Sequence, residues 1–375
     1  MGYFALTEDS FNGGNDSKLS FQGKIAVITN LPFQTQNDEE FWSGEQALAK
    51  YGQDSIIHVT WPVYFMQEKE QVDAIITTLS VNWELRALII NQAVPGCNAA
   101  LEKLKKFRDD IFVVCCVPHE SPSESARLAN LIFRPNDFGI GSAVVKQAKR
   151  QGATTFVHYS FPRHMAMEIK EASRDIISET CAAEGIVFVD VKAMDPMGEP
   201  GGYSAEEFIL EDVPRMVAKY GENTAFFCTC CFLQVSLIKA VMGSHAIFPQ
   251  PCCPSPYHGF PEALGIEIGE NQPDLNYIIS ETKRISAANN MTGRLSTWPA
   301  PLTMMFTNVG LEYAIKWING EVPKKGIDDK VLLDCMRAYI KEVSGGDIDF
   351  SMTSYTGSDK TWDNFKLLLM NYFNY

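Results

Sequence analysis

The chain has 375 residues, 46% of them hydrophobic, enough for two cores rather than one. Its 46 acidic residues against 32 basic ones leave a formal charge of −14, which repels phosphate backbones and argues against nucleic acid as a partner. No apolar run approaches the roughly 20 residues that a membrane helix needs, so direct membrane insertion is not expected.

The N-terminal twenty residues are polar and acidic, with Gly13-Gly14 and Asn15. They lack the basic start and apolar middle of a signal peptide, and residues 1–18 are read as a flexible terminus. Ten cysteines include three adjacent pairs, Cys115-Cys116, Cys230-Cys231 and Cys252-Cys253. No spacing of a disulfide framework is visible, which points to reduced thiols. The expectation is a cytoplasmic protein as the chain stands; export or lipid anchoring after removal of a signal is the alternative.

"KIAVIT" at Lys24–Thr29 reads as a buried strand. Phe41, Glu45, Leu48 and Tyr51 keep helical spacing, and Gly52 stops that helix. Strands at Ser55–Val59, Arg86–Asn91 and Ile111–Val117 alternate with helices near Met66–Leu79 and Asn98–Phe107. Leu128–Phe133 is a weaker fifth strand. Strands this apolar are covered on both faces, which means a parallel sheet between helix layers.

The pattern then restarts. A helix over Gly141–Gln151 precedes the strand "TTFVHYS", and a long helix runs from about His164 to Ala183. "IVFVDV" at Ile186–Val191 is a strand. Ser204 and Glu207 form a capping box for a helix that Pro214 splits in two. "TAFFCT" at Thr224–Thr229 and "HAIF" at His245–Phe248 are strands around a helix ending near Met242. Two further helices, near Pro301 and over Asp329–Val343, are expected to fold back on the first lobe. The domain reading is residues 19–137 with 295–345 for lobe 1, 138–294 for lobe 2, and 346–375 as a C-terminal tail without a physical account.

In open parallel sheets, ligands sit beyond the carboxyl ends of the strands. Those ends present Asn30, Trp61, Asn91, Gln92, His119 and Glu120 in the first lobe. In the second they present Tyr159, Ser160, Arg163, His164, Thr229 and Cys230. These groups suit a small polar, anionic or aromatic ligand held between two lobes. Arg163 stands at a strand-to-helix turn and is read as a clamp for an oxyanion. Trp61 is read as a ligand contact, with Phe65, Tyr257 and Trp298 either stacking on ligand or filling the lobe interface. Trp42 and Trp317 lie on helix stripes and are read as core.

Four stretches now carry a resemblance: "NQAVPG" at Asn91–Gly96, "FVHYSFPRHM" at Phe156–Met165, "KYGENTAFFCT" at Lys219–Thr229 and "SPYHGFPEALGI" at Ser255–Ile266. The chain, from about Ile25 to Val322, resembles an uncharacterised bacterial family of periplasmic-binding-protein-like proteins. The resemblance implies the type I solute-binding fold of sugar- and nucleoside-binding proteins and lac-repressor-type ligand cores. It further implies an α/β fold of two Rossmann-like lobes, three crossovers, and a cleft that closes on a ligand. Cys230-Cys231 stand where the family usually has Asn-Asp, so a hydrogen-bonding role there is in doubt.

The reading is non-catalytic binding of a small solute, with a membrane transporter or a signalling protein as partner and no cofactor. No metal site is expected, because C-x-C-C and C-C do not reproduce the usual C-x₂-C pairs. A cysteine-dependent, racemase-like enzyme with Cys115 or Cys116 facing Cys230 is the catalytic alternative. No G-x-S-x-G, G-x-G-x-x-G or P-loop motif supports one. A regulator's ligand core without its own DNA-binding domain is the other alternative, since the segment before Lys24, about twenty residues and acidic overall, is too short and of the wrong charge for a helix-turn-helix.

Overall fold

The computed structural model describes residues 20–32, 39–199, 201–268, 274–358 and 360–375. The N-terminal segment read as flexible lies outside these residues. In chain order the first lobe opens with β1 (Lys24–Thr29), α1 (Glu39–Tyr51), β2 (Ile56–Thr60), α2 (Lys69–Ser80), β3 (Leu85–Ile90), α3 (Cys97–Phe107), β4 (Phe112–Cys116), α4 (Pro122–Leu128) and β5 (Leu131–Pro135). The second lobe carries α5 (Asp137–Arg150), β6 (Thr155–Ser160), α6 (Pro162–Met165), α7 (Glu168–Glu184), β7 (Val187–Lys192), α8 (Gly202–Tyr220) and β8 (Thr224–Cys228). It continues through α9 (Gln234–Gly243), α10 (Phe260–Leu264), α11 (Leu275–Ala288) and β9 (Ser296–Thr297). The chain ends with α12 (Leu302–Ile318), α13 (Asp329–Ser344), β10 (Phe350–Thr356), β11 (Thr361–Met370) and β12 (Phe373–Asn374).

The first sheet has the order β10-β11-β5-β4-β3-β1-β2, parallel except for β10. Successive side chains leave a strand on opposite faces. Ile25 and Val27 therefore enter the core beneath α1 and α12, while Ala26 and Ile28 enter the one beneath α2 and α3. Both faces are covered, so β1, β3 and β4 read as unbroken apolar runs. Helix α12 packs on α1, β3 and β4, as expected of a segment folding back on the first lobe. The segment read as a tail supplies β10 and β11, and β11 pairs in parallel with β5 through Phe365↔Ile132.

The second sheet has the order β7-β6-β8, extended by single bridges Ala225↔Ile247 and Phe248↔Leu295. Two sequence expectations change here. Helix α8 is continuous through Pro214. Pro214 and Leu210, whose carbonyl loses its partner, both face solvent, so water can replace the missing hydrogen bond. That helix also starts at Gly202, ahead of the expected cap at Ser204. The long helix expected from His164 is instead two, α6 and α7, separated at Ala166-Met167.

The chain crosses between lobes three times, as the resemblance implies: from β5 to α5, from β9 to α12, and from β11 to β12. The crossings are tied together. Asn136 N donates to Leu368 O at 2.6 Å. On α5, Gln147 Nε2 donates to Ser296 Oγ at 2.9 Å and to Asn374 Oδ1 at 2.6 Å. β12 pairs antiparallel with β9.

Candidate functional site

A cavity of about 240 Å³ opens between the lobes at the carboxyl ends of both sheets. Its first-lobe lining includes Asn30, Glu39, Glu40, Phe65, Gln92, His119 and Arg134. Its second-lobe lining includes Arg163, His164, Lys170, Thr229, Cys230, Tyr257, His258 and Glu262. Apolar contact comes from Pro62, Val63, Met167, Met197, Phe232 and Val235 among others.

The end of β1 is fixed from behind. Thr29 Oγ1 lies 2.9 Å from His58 Nε2, and His58 Nδ1 lies 2.6 Å from Glu45 Oε1. A Cβ on Gly44 would sit 2.3 Å from His58 Nε2, so α1 needs glycine there to pass the imidazole. Asn30 Nδ2, one residue on, donates to Glu40 Oε2 at 2.8 Å and to Gln92 Oε1. Glu39 accepts from Ser255 of the second lobe and from Thr303.

An ion network lies deeper, where β5 passes into α5. Arg134 Nε donates to Asp137 Oδ2 at 2.7 Å, and Arg134 Nη1 to Pro118 O at 2.8 Å. Lys170 Nζ reaches Asp137 Oδ1 at 2.8 Å. Burial alone would raise the Asp137 pKa, but the two cations outweigh it and hold the carboxyl below its usual range. Arg134 Nη2 is buried and has no partner among the described residues. Glu262 on α10 gives the converse: its Oε2 is buried without a partner among the described residues, and burial raises its pKa.

On the second-lobe side, Arg163 donates Nε and Nη2 to Asp195 Oδ2 and Oδ1, both at 2.8 Å. The carboxylate that Arg163 was expected to take from a ligand is thus supplied by the protein. His164 Nδ1 lies 2.9 Å from Thr229 Oγ1, which lies 3.0 Å from Ser160 Oγ. Burial, then the nearby Lys170 and Arg163 charges, push the His164 pKa down to about 2. His119 is pushed to about 3 by burial and by Arg134 and Arg163. Both imidazoles are neutral at pH 7.

Among the residues expected at the site, Asn30, Gln92, His119, Arg163, His164, Thr229 and Cys230 line the cavity. Trp61, Asn91, Glu120, Tyr159 and Ser160 do not. Trp61 is buried beneath α2 and donates its indole N–H to Gln92 O at 2.8 Å. Asn91 donates to Thr303 O at 3.0 Å and to Thr307, which fastens α12 to β3. Glu120 accepts from Asn98 N at 2.8 Å and caps the start of α3. Tyr159 points to the opposite face of β6 and donates to Asp212 at 2.8 Å. Ser160 reaches the site only through Thr229. Phe65 and Tyr257 line the cavity, whereas Trp298 fills the core. Trp42 is buried in the core and Trp317 packs against it.

Cys115 and Cys116 are buried on opposite faces of the first sheet and do not line the cavity. Burial pushes Cys115 up to about 12 and Cys230 up to about 11. The paired thiols that a racemase-like mechanism needs are not assembled from these residues. Sequence reading places Arg134 at a strand end without choosing it for the site, weighs Cys231, Cys252, Cys253 and His258 as metal ligands and sets them aside, and misses Lys170 and Glu262. Cys231 Sγ lies 3.3 Å from Cys252 Sγ and 3.6 Å from Cys253 Sγ, and Cys252 Sγ lies 3.8 Å from His258 Nε2. Hydrogen bonds from Cys231 and Cys252 hold Cys253 well below the usual thiol range. Arg134 was legible as a cation closing an apolar strand; the thiols were visible too, but their spacing is not that of the usual C-x₂-C pairs.

With this geometry in place, comparison with other proteins is informative. Residues 23–296 match the family described as "Protein of unknown function (DUF3798)". The chain belongs to this family. Two uncharacterised proteins of Treponema pallidum (strain Nichols) are similar. One is 30% identical over 158 residues, covering 42% of this chain and 73% of the relative. The other is 29% identical over 181 residues, covering 46% and 80%. Among solved structures, a proposed transcriptional regulator from Clostridium difficile 630 superposes with a TM-score of 0.72 at 20% identity, covering 95% of this chain and all of that one. An ABC sugar transporter subunit from Rhodobacter sphaeroides 2.4.1 gives 0.54 at 13% identity, covering 82% and 95%. A periplasmic solute-binding protein from Actinobacillus succinogenes 130z with bound D-allose gives 0.52 at 14% identity, covering 82% and 96%. These neighbours are binding proteins and regulators rather than enzymes. The family member described here has the type I periplasmic-binding-protein fold, and among its described residues no helix is long and apolar enough to cross a membrane.

Proposed function

We propose that the protein binds a small hydroxyl-bearing solute in the interlobe cavity and releases it unchanged. One observation carries this reading: the lining offers a buried donor without a partner, Arg134 Nη2, and a buried acceptor without a partner, Glu262 Oε2, from different lobes. Buried polar groups are nearly always satisfied, so such a pair suits a ligand that accepts at one end and donates at the other. Sugars and polyols do both, and Phe65 and Tyr257 offer rings for their apolar faces. The bound D-allose of the Actinobacillus neighbour is in keeping with this class. Ligand contacts on both lobes favour the closed state, and a membrane transporter or signalling protein would read it. Ten free cysteines support a reducing compartment.

The test is a thermal-shift panel of sugars, polyols, nucleosides, amino acids and aromatic acids, followed by calorimetry. A true ligand at 100 times its Kd adds about 2.7 kcal/mol of stability. Glu262→Gln, close to isosteric, is expected to weaken a hydroxylated ligand by about tenfold or more, the lower end for a hydrogen bond to a charged group. Affinity unchanged in Glu262→Gln, or a panel in which no hydroxylated solute binds the folded protein, overturns the reading.

A further inference from the structure

Cys231 follows β8 in a short 3-10 turn, while Cys252, Cys253 and His258 belong to the segment joining Phe248 to α10. That segment is irregular yet mostly buried, and it holds Pro249, Pro251, Pro254 and Pro256. Loops normally run over the surface, because a buried one must satisfy its backbone without a ladder. This one is held by few backbone hydrogen bonds, His258 N to Ser255 O at 3.2 Å among them. At the point where it meets the end of β8, soft donors converge.

We infer that Cys231 Sγ, Cys252 Sγ and His258 Nε2 form a binding site for a soft or borderline divalent cation, zinc(II) above all, in the second-lobe side of the cavity. These donor atoms all lie within 4.8 Å of one another. In a tetrahedral zinc site, with Zn–S of about 2.3 Å and Zn–N of about 2.0–2.1 Å, two sulfurs stand roughly 3.8 Å apart and a sulfur and an imidazole nitrogen roughly 3.6 Å apart. The observed separations, 3.3 Å between the sulfurs and 3.8 Å from Cys252 Sγ to His258 Nε2, bracket those edges. Thiolate and imidazole ligands select zinc or copper(I) over magnesium or calcium. Two thiolates neutralise a divalent charge, and the two thiol protons leave to solvent on binding. Cys253 Sγ, 3.6 Å from Cys231 Sγ, keeps a third thiol beside the ion. Three protein ligands in a cavity wall leave a coordination position for a group from the cavity, as in sites that exchange ligands. The sequence reading expects no metal here because the ligands are split between a strand end and a loop, with C-x₅-H in place of a familiar pair.

This inference stands apart from the solute reading, since it is tested with metal alone. The reduced, chelator-treated full chain is titrated anaerobically with cobalt(II) and then zinc(II). One equivalent of cobalt is expected, with thiolate-to-cobalt charge transfer and tetrahedral d–d bands that zinc abolishes. Cys231→Ser, Cys252→Ser and His258→Ala should each weaken uptake by at least about 100-fold, the upper end of what even outer-shell changes cost. Cys335→Ala, buried on α13, should leave it unchanged. Because the variants can misfold, X-ray absorption of the zinc-loaded wild type is the second measurement; at least two sulfur scatterers near 2.3 Å and one imidazole are expected. Failure of the reduced wild type to take up either metal, undiminished uptake in both serine variants, or a zinc environment without sulfur overturns the proposal.

Discussion

Two arginine–aspartate pairs border the same cavity, and they differ chiefly in depth. Arg134 and Asp137 have side chains 1% and 5% exposed; Arg163 and Asp195 have side chains 24% and 22% exposed. In both pairs burial works to raise the carboxyl pKa and the guanidinium helps to outweigh it, together with Lys170 at Asp137 and the Met197 N–H at Asp195. The deep pair is built into the passage from β5 to α5 and shares Asp137 with Lys170. The shallower pair holds a second-lobe turn and is partly solvated. Identical chemistry therefore serves structure and site in one place and local turn geometry in the other, because desolvation sets what removing one partner costs.

Arg134→Met should show the largest effect. It leaves Asp137 buried with Lys170 alone, and a loss of about 3 kcal/mol in urea unfolding is expected, the low end for a broken buried pair. A loss below about 1 kcal/mol would erase the contrast between the pairs.

Acid comes next. The His164 pKa is about 2 in the fold, below the ordinary 6.5, so the unfolded chain binds the proton first. The stability tied to neutral His164 is present above pH 6.5 and is lost as pH falls below it, by at most about 1.4 kcal/mol per pH unit. At pH 5 the loss is about 2 kcal/mol, and His164→Asn should remove it. Asp137 and Asp195 stay ionised in this window, so stability curves from pH 7 to 5 separate the buried imidazoles from both ion pairs, and the loss left in His164→Asn is that of His119, held at about 3. A flat wild-type curve would contradict this burial.

Gly44→Ala tests how firmly the β1 end is held. The new methyl meets an imidazole fixed at both nitrogens, and overpacking is expected to cost about 1–2 kcal/mol net of the gain in helix propensity. Gly202→Ala is the counterpart on the second lobe. Its Cβ would stand 2.5 Å from Phe232 Cζ, the far end of a half-buried side chain that can swing aside, and melting should barely change. Arg163→Ala should cost no more than about 1 kcal/mol of stability.

The inner strands of both lobes were legible because two-sided burial makes β1, β3, β4 and β8 apolar runs bounded by turn residues, whereas the edge strands β2 and β7 are only partly buried. β10 and β11 were not. β10 alternates exposed Ser351 and Thr353 with half-buried Phe350, Met352 and Ser354 at a sheet edge, and its sequence resembles a polar tail. Helix α11 buries Thr282 and Ser286 beside Leu275 and Ile278, so its inward stripe is half hydroxyl and gives no apolar period. Strand ends pointed to the cavity, but alternation decided which residues reached it. Tyr159 and Ser160 are neighbours, and the pleat sends only Ser160 toward Thr229 and the cavity side. Asn91 was taken by α12, whose Thr303 lies 212 residues further along the chain and enters no strand-end reading. Cys252 and His258 come together through an irregular loop whose path no periodicity records.

The tied crossings have a mechanical consequence. A single linker would let one lobe swing in any direction about the other, as a ball joint does. Three segments pinned side by side through Gln147, Asn136 and the β9–β12 pair act as a door hinge and leave one angle free. Any opening on ligand release would then follow one coordinate, and a single distance between two spin labels, one on each lobe, would measure all of it.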